Sequence, residues 1–291
     1  MTAVRPARLR VGVISAGRVG AVLGAALARA GHEIVAVSAV SRDSVRRVER
    51  LLPGVAIKPP PEVVADADFV LLAVPDDELR ALVSGLASTD AWRSGQIAAH
   101  TSGAVGIGVL DPAAARGVLP VALHPVMTFT GRPEDIDKLT GAGFGVTAPD
   151  ELRPVAEALV VEIGAEPVWV PELARPLYHA ALTVGANYLV TTVNDAVELL
   201  ARAGVEHPAR LLAPLLSAAL DNALRLGDAA LTGPVSRGDV ATVRSHLATL
   251  AEDAPETVAA YVAMARRTAE RAAASGRLSS EQADTMREAL S

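Results

Sequence analysis

Short runs rich in Val, Ile and Leu recur between helix-like segments from residue 9 to residue 170, and this alternation restricts the fold more than any other property of the chain. The runs fall at 9–14, 34–40, 69–74, 97–99, 118–123, 144–147 and 168–170. Strands joined by crossover helices pair in parallel, and such a sheet carries helices on both faces. Most of the runs are continuously apolar, as strands covered on both sides require. A doubly wound, Rossmann-type α/β domain is therefore expected over 1–171. Beyond Pro171 the pattern changes to long helical segments at 173–203, 208–226, 239–251, 255–274 and 279–290, so an all-helical domain is expected over 172–291. Pro171 and Pro176, near the junction, suit a chain entering a helix and not a helix interior.

Composition removes several functions. A content of 51% hydrophobic residues supports a substantial core, and a net charge of −6 with no concentrated basic face argues against nucleic acid as partner. The absence of cysteine excludes disulfides, thiolate nucleophiles and zinc–thiolate sites. The histidines lack a ligand spacing with carboxylates, so no metal site is expected. The N-terminal stretch places basic residues ahead of apolar ones, like a signal peptide. Arg18 and Arg29 nevertheless bound its apolar run at 19–28, which is far too short to span a membrane. A cytoplasmic protein with a small-molecule partner and no membrane partner is expected.

The first strand, turn and helix carry "SAGRVG", namely Ser15, Ala16, Gly17, Arg18, Val19 and Gly20. Against the dinucleotide fingerprint G-x-G-x-x-G, Ser15 replaces the first glycine and the other two are present. Gly17 would let the backbone approach a pyrophosphate, Gly20 would let the helix lie close on the strand, and the helix N-terminus supplies free amides. The alternative is a glycine-rich turn in a doubly wound fold that holds no cofactor. At the end of the second strand an NAD site wants an acidic residue, but here stand Ser41 and Arg42, which favour the 2′-phosphate of NADPH/NADP+. Asp43 suits a helix N-cap, while Arg46 and Arg47 suit a solvated helix face. Val74 and Pro75 fall at the carboxyl edge of a central strand, where the nicotinamide end would lie; Asp76 and Asp77 suit helix caps.

Two histidine segments follow, "HTSGAVG" at 100–106 and "LHPVMTF" at 123–129, each at the end of a strand-like run. Thr101, Ser102 and Gly103 could cradle a small anion, and His124 could donate to a carbonyl or carboxylate. Ordinary turn chemistry and strand-end capping compete with these readings. In the first long helical segment His179, Thr183 and Asn187 follow at i, i+4, continued by Thr191 and Asn194, as a polar line on an otherwise apolar helix. A lined cavity and the wet face of an amphipathic helix both accommodate it, the cavity being favoured because Thr and Asn replace the usual Glu and Lys. Asp239 is a natural N-cap. Arg237 just before it could clamp a substrate carboxylate, or pair structurally with Asp239 or a helix end.

"HTSGA", "HP" with Phe129, "YHAA" with Asn187, and "ALTGPVSRGD" at 230–239 followed by His246 and Leu247 together resemble the Rossmann-like proteins with a DUF2520 C-terminal domain. The broader likeness is to the 6-phosphogluconate dehydrogenase-like group, with its β-hydroxyacid dehydrogenases, ketopantoate reductases and pyrroline-5-carboxylate reductases. The resemblance implies an NADP-dependent oxidoreductase, commonly a dimer with its site between the sheet edge and the helical domain, and suggests ketopantoate reduction as one activity. Those relatives often use a Lys with an Asn one helical turn later. Here the only lysines are Lys58 and Lys138, outside the helical segments, and His179 stands in the equivalent place.

The expectation is reduction of a small carbonyl acid with hydride from NADPH. His179 is the general acid, Asn187 and Ser102 are positioners, Arg237 is a carboxylate clamp and His124 is the competing donor. Reduction of a pyrroline-5-carboxylate-type imine and a non-catalytic NADP sensor are the alternatives. The Ala- and Leu-rich stretch "ARLLAPLLSAALDNALRL" suggests a homodimer.

Overall fold

The computed structural model describes residues 8–291. Strands β1 (Arg10–Ile14), β2 (Glu33–Val37), β3 (Phe69–Leu72), β4 (Ile97–His100), β5 (Leu119–Pro125), β6 (Gly143–Thr147) and β7 (Glu166–Trp169) form one sheet in the order β2-β1-β3-β4-β5-β6-β7. Each strand overlaps one of the apolar runs, although β2 ends three residues before its run does and β7 starts two residues ahead of its own. The fold is α/β, a mostly parallel sheet followed by a helical region.

Pairing is parallel throughout except between β5 and β6, which run antiparallel. The cause is the intervening connection, whose only helix is the four-residue Glu134–Asp137. That is too little to carry the chain back across the sheet, so it turns at the same edge and returns.

The two faces are legible in the side-chain alternation. Val11, Val13, Phe69, Leu71, Ile97 and Ala99 belong to one apolar cluster, and Ile14, Val70, Leu72 and Ala98 to another. The first is covered by residues of helix Arg18–Arg29 and helix Arg153–Glu162, the second by residues of helices Pro60–Asp66 and Asp76–Ser88. Parallel register aligns Ile14, Leu72, His100 and Ala122 across four strands, so β1, β3, β4 and β5 all present their carboxyl ends along one edge. Open α/β sheets bind ligands at such an edge.

The chain divides into two compact units after Gly185. The helical pattern that begins just past Pro171 thus contributes its first helix, Arg175–Leu182, to the sheet unit. The expected single helix over 173–203 is interrupted by a π-helical turn, Thr183–Asn187, before helix Tyr188–Arg202. In the second unit Val235, Val243, Ala265, Ala269, Ala272, Met286 and Leu290 are among the residues of a small core. Its helices Val240–Asp253, Pro255–Ala274 and Ser280–Ala289 lie at the expected places, whereas the short helix Pro234–Arg237 is an addition. No helix among the described residues is long and apolar enough to cross a membrane, and none of their side chains form a metal-binding group.

Candidate active site

The glycine turn joins β1 to helix Arg18–Arg29 with the geometry of a phosphate cradle. Ser15 adopts φ 72°, the left-handed conformation that a glycine at this position would supply without strain. Its amide donates to Ser38 Oγ at 2.8 Å. Gly20 has no room for a side chain, because an added Cβ would collide with the Ser15 carbonyl oxygen. Gly17, by contrast, is open: an added Cβ would meet only Ser15 Oγ, at 3.6 Å. It is the N-cap residue, and no described side chain caps the turn, so the first amides of the helix, at Arg18 and Val19, stay free for an anion. Ala16 differs from its neighbours, since it is fully buried and its amide donates to Ser38 O at 2.7 Å. The turn therefore fits a dinucleotide pyrophosphate through Gly17, Arg18 and Val19.

After β2, Ser41 and not Asp43 is the helix N-cap. Its Oγ accepts from the Ser44 amide at 3.1 Å and the hydroxyl donates to Ser44 Oγ, while Asp43 lies in the first turn. Arg42 follows at the first helical position, exposed. Arg46 is exposed as a solvated face requires. Arg47 is drawn in: it is half-buried and donates to Ala16 O at 3.4 Å, and with Arg18 it packs over Gly131. Val74 is half-buried and Pro75 exposed, Pro75 being the N-cap residue of helix Asp76–Ser88. Asp76 and Asp77 make no cap hydrogen bond and instead place negative charge in the first turn, where it complements the helix dipole.

At the ends of β4 and β5 the histidines separate into different roles. His100 is fully buried, with Nε2 3.1 Å from Gly106 O, and burial first, then the Arg175 charge, lowers its pKa to about 4. Its ring is thereby tied to the loop that follows β4. Ser102 is also buried; its Oγ accepts from the Val105 amide at 3.1 Å and its carbonyl accepts from Arg175 at 2.7 Å. His124 is half-buried. Its Nδ1 lies 2.8 Å from Tyr178 Oη, and its ring meets that of His179 edge to face with centroids 5.9 Å apart. Burial, then the Arg175 and His179 charges, lower the His124 pKa to about 4.

Helix Arg175–Leu182 is fastened to this edge by two charged residues near its start. Glu172 accepts from the amides of Ile107 and Gly108, at 2.9 and 3.1 Å. Arg175, with no exposed surface, donates to Thr147 Oγ1 at 2.8 Å and to Ser102 O, and no described carboxylate pairs with it. Desolvation lowers its pKa, and Tyr178, Glu172 and Asp76 oppose that. Arg175, Tyr178 and Glu172 escaped the sequence reading, although a basic residue at the first position of a helix, against the dipole, is a signal that something holds it there.

The polar line of the long helix does not persist as drawn. His179 is half-buried in the site, but the π-helical turn breaks the i, i+4 register at Thr183, and Asn187 is exposed and falls in the second unit. Arg237 also lies in the second unit, exposed, at the end of helix Pro234–Arg237, and makes no ion pair among the described residues. Asp239 caps helix Val240–Asp253 as expected, Oδ1 accepting from the Thr242 amide at 3.1 Å.

The model of the Rossmann-like domain matches residues 1–125, and that of a domain of unknown function, DUF2520, matches residues 142–268. The chain is a Rossmann-like protein with a DUF2520 domain. No curated protein matches its sequence. This DUF2520 protein shares its fold with a Bacteroides fragilis protein provisionally named an NADP oxidoreductase, at 22% identity and TM-score 0.74, over 90% of this chain and 98% of that one. An imine reductase from a Pseudomonas species superposes with TM-score 0.67 at 17% identity, over 98% and 100% of the two chains. A Plasmodium falciparum pyrroline carboxylate reductase with NADP bound gives 0.57 at 11% identity, over 97% and 98%. At these identities the likeness establishes the fold.

Proposed function

We propose that the protein is an NADPH-dependent oxidoreductase that reduces a small carbonyl acid, with ketopantoate the first such substrate to test. The observation that carries this reading is the placement of two imidazoles, His124 and His179, on the sheet edge that also bears an open glycine cradle with free helix amides. Ser41, Arg42 and Arg47 support the choice of NADPH, since a hydroxyl and a guanidinium follow the end of β2, where an NAD site would carry an acidic residue, and Arg47 reaches the turn at Ala16 O.

When bound at Gly17, Arg18 and Val19, NADPH supplies a hydride. The residues of this chain have the remaining work of binding the acid, orienting its carbonyl and providing one proton to the oxygen. His179 is half-buried with its ring against that of His124, which suits it by position to be the donor; His124, kept neutral by its surroundings, suits hydrogen bonding to the carbonyl or carboxylate. Ser102 acts through its loop, which Arg175 holds. Asn187 as a positioner and Arg237 as a carboxylate clamp remain part of the proposal, each open to its own substitution.

The fold neighbours named as an imine reductase and a pyrroline carboxylate reductase support a second reading, reduction of a cyclic imine such as pyrroline-5-carboxylate. An imine that arrives protonated asks less of His179. NADPH oxidation measured against ketopantoate, other 2-keto acids and cyclic imines tests the two readings together. Turnover with a keto acid supports the first and turnover with imines alone the second, while tight NADPH binding with no turnover supports an NADP sensor. The proposal includes a cytoplasmic homodimer. Helices Tyr188–Arg202 and Pro208–Leu226 bury no residue within one chain, and exposed Leu211, Leu215, Leu220 and Leu224 on the second suit a second copy.

A further inference from the structure

Three aromatic rings converge at the end of β5, and two glycines make the room for them. Gly145 stands opposite His124 in the antiparallel register of β5 and β6, and an added Cβ there would collide with Tyr178 Oη. On the other side, an added Cβ on Gly103 would lie 2.8 Å from His124 Nε2 and 2.6 Å from His179 Cδ2. Tyr178 therefore reaches Nδ1 of His124 across one glycine, while Nε2 turns to the other glycine and to His179. The Tyr178 and His124 rings meet edge to face at 89°, with centroids 5.6 Å apart. Strand pairing fixes one member of this group, and the anchored helix Arg175–Leu182 fixes the other two.

We propose that Tyr178 is a positioning residue whose hydroxyl donates to His124 Nδ1 and so holds His124 as the neutral tautomer with its proton on Nε2. The direction of the bond follows from chemistry. A phenol O–H is a better donor than an imidazole N–H, and the bare sp² nitrogen is a better acceptor than a phenol oxygen. Tyr178 keeps its proton, because burial raises its pKa, and its hydroxyl has no other partner among the described residues. The charged and titratable groups facing His124 are Arg175, Tyr178 and His179 from the helix and His100 from β4, and none is an acid that would favour the imidazolium.

This inference rests on the proposed reductase only for its consequence, which is the class of substrate. An Nε2–H is a fixed donor. It can bind a carbonyl or carboxylate oxygen but offers no lone pair to the N–H of a protonated imine. The opposite tautomer would reverse that choice. The Tyr178–His124 pair therefore selects acceptor-type substrates and leaves the proton donor's place to His179.

The test is nitrogen NMR of the full-length protein labelled with ¹⁵N-histidine, with the His124 signals identified by their loss in His124→Gln. The wild type should show protonated Nε2 and unprotonated, hydrogen-bonded Nδ1 between pH 5.5 and 8. Tyr178→Phe should shift the Nδ1 signal and populate the other tautomer, and should lower kcat/KM for the keto acid by about tenfold, the scale of one lost hydrogen bond, without weakening NADPH binding. A wild-type spectrum with the proton on Nδ1, or a Tyr178→Phe spectrum identical to wild type, would overturn the inference. The spectrum needs no turnover, so a protein that oxidises NADPH with no substrate contradicts the proposed reaction and leaves the tautomer to be decided on its own evidence.

Discussion

The carbonyl oxygen of Ser15 fills the space that any side chain on Gly20 would need. The obstacle is backbone, which cannot swing aside as the end of a flexible side chain can, and Ala73 Cβ closes the same space from β3's carboxyl end at 3.0 Å. Gly20→Ala should therefore push the helix off the strand, lower stability by about 1–3 kcal/mol, and weaken NADPH binding through the displaced amides. Thermal unfolding with and without NADPH checks this; an unchanged melting temperature would mean that the turn is looser than described.

Much of this architecture was readable in the residues, and the failures have physical causes. The strand positions followed from continuous apolar runs, because a strand covered on both faces has little freedom in composition. The antiparallel step at β6 did not, since Phe144 to Thr147 look the same in either direction and only the missing crossover helix decides. Ser15 holds φ 72° without being glycine, so the fingerprint survived in the backbone where its letter had changed. The His179, Thr183 and Asn187 spacing was sound for a regular helix, but a single π-helical turn has no signature in side-chain periodicity. The role of Tyr178 depends on Gly145 opposite His124, a contact between β6 and a helix distant in sequence.

His100 and His124 make stability depend on acidity. Both have pKa values of about 4 in the folded protein against 6.5 when exposed. Between these values the unfolded chain binds more protons, so stability is fully present above about pH 6.5 and declines as pH falls towards 4, by up to about 1.4 kcal/mol per pH unit for each histidine. Urea titrations across this range should give a shallower slope in His124→Gln than in wild type. Equal slopes would mean that His124 titrates as an exposed histidine.

NADPH should bind at least about tenfold more tightly than NADH, which is about 1.4 kcal/mol and within reach of one charge-assisted phosphate contact. Arg42→Ala should remove most of that preference, and Arg47→Ala should reduce it while also loosening the turn through the lost bond to Ala16 O. Calorimetric titration of both cofactors decides the matter; equal affinities in the wild type would refute the assignment.

At micromolar concentration the protein should sediment with twice the chain mass. Replacing Leu215 and Leu220, both exposed on helix Pro208–Leu226, by Glu should return it to a monomer. A wild-type monomer would leave that apolar surface without the proposed second copy.

The most direct test of the central claim is single-turnover oxidation of bound NADPH, followed by its absorbance after mixing with ketopantoate, in wild type, His179→Gln and His124→Gln. The account predicts oxidation by the wild type, a fall of about 100-fold in His179→Gln with NADPH affinity unchanged, and a smaller loss in His124→Gln. Oxidation by none of the carbonyl acids despite tight NADPH binding, or a larger loss in His124→Gln than in His179→Gln, would contradict it.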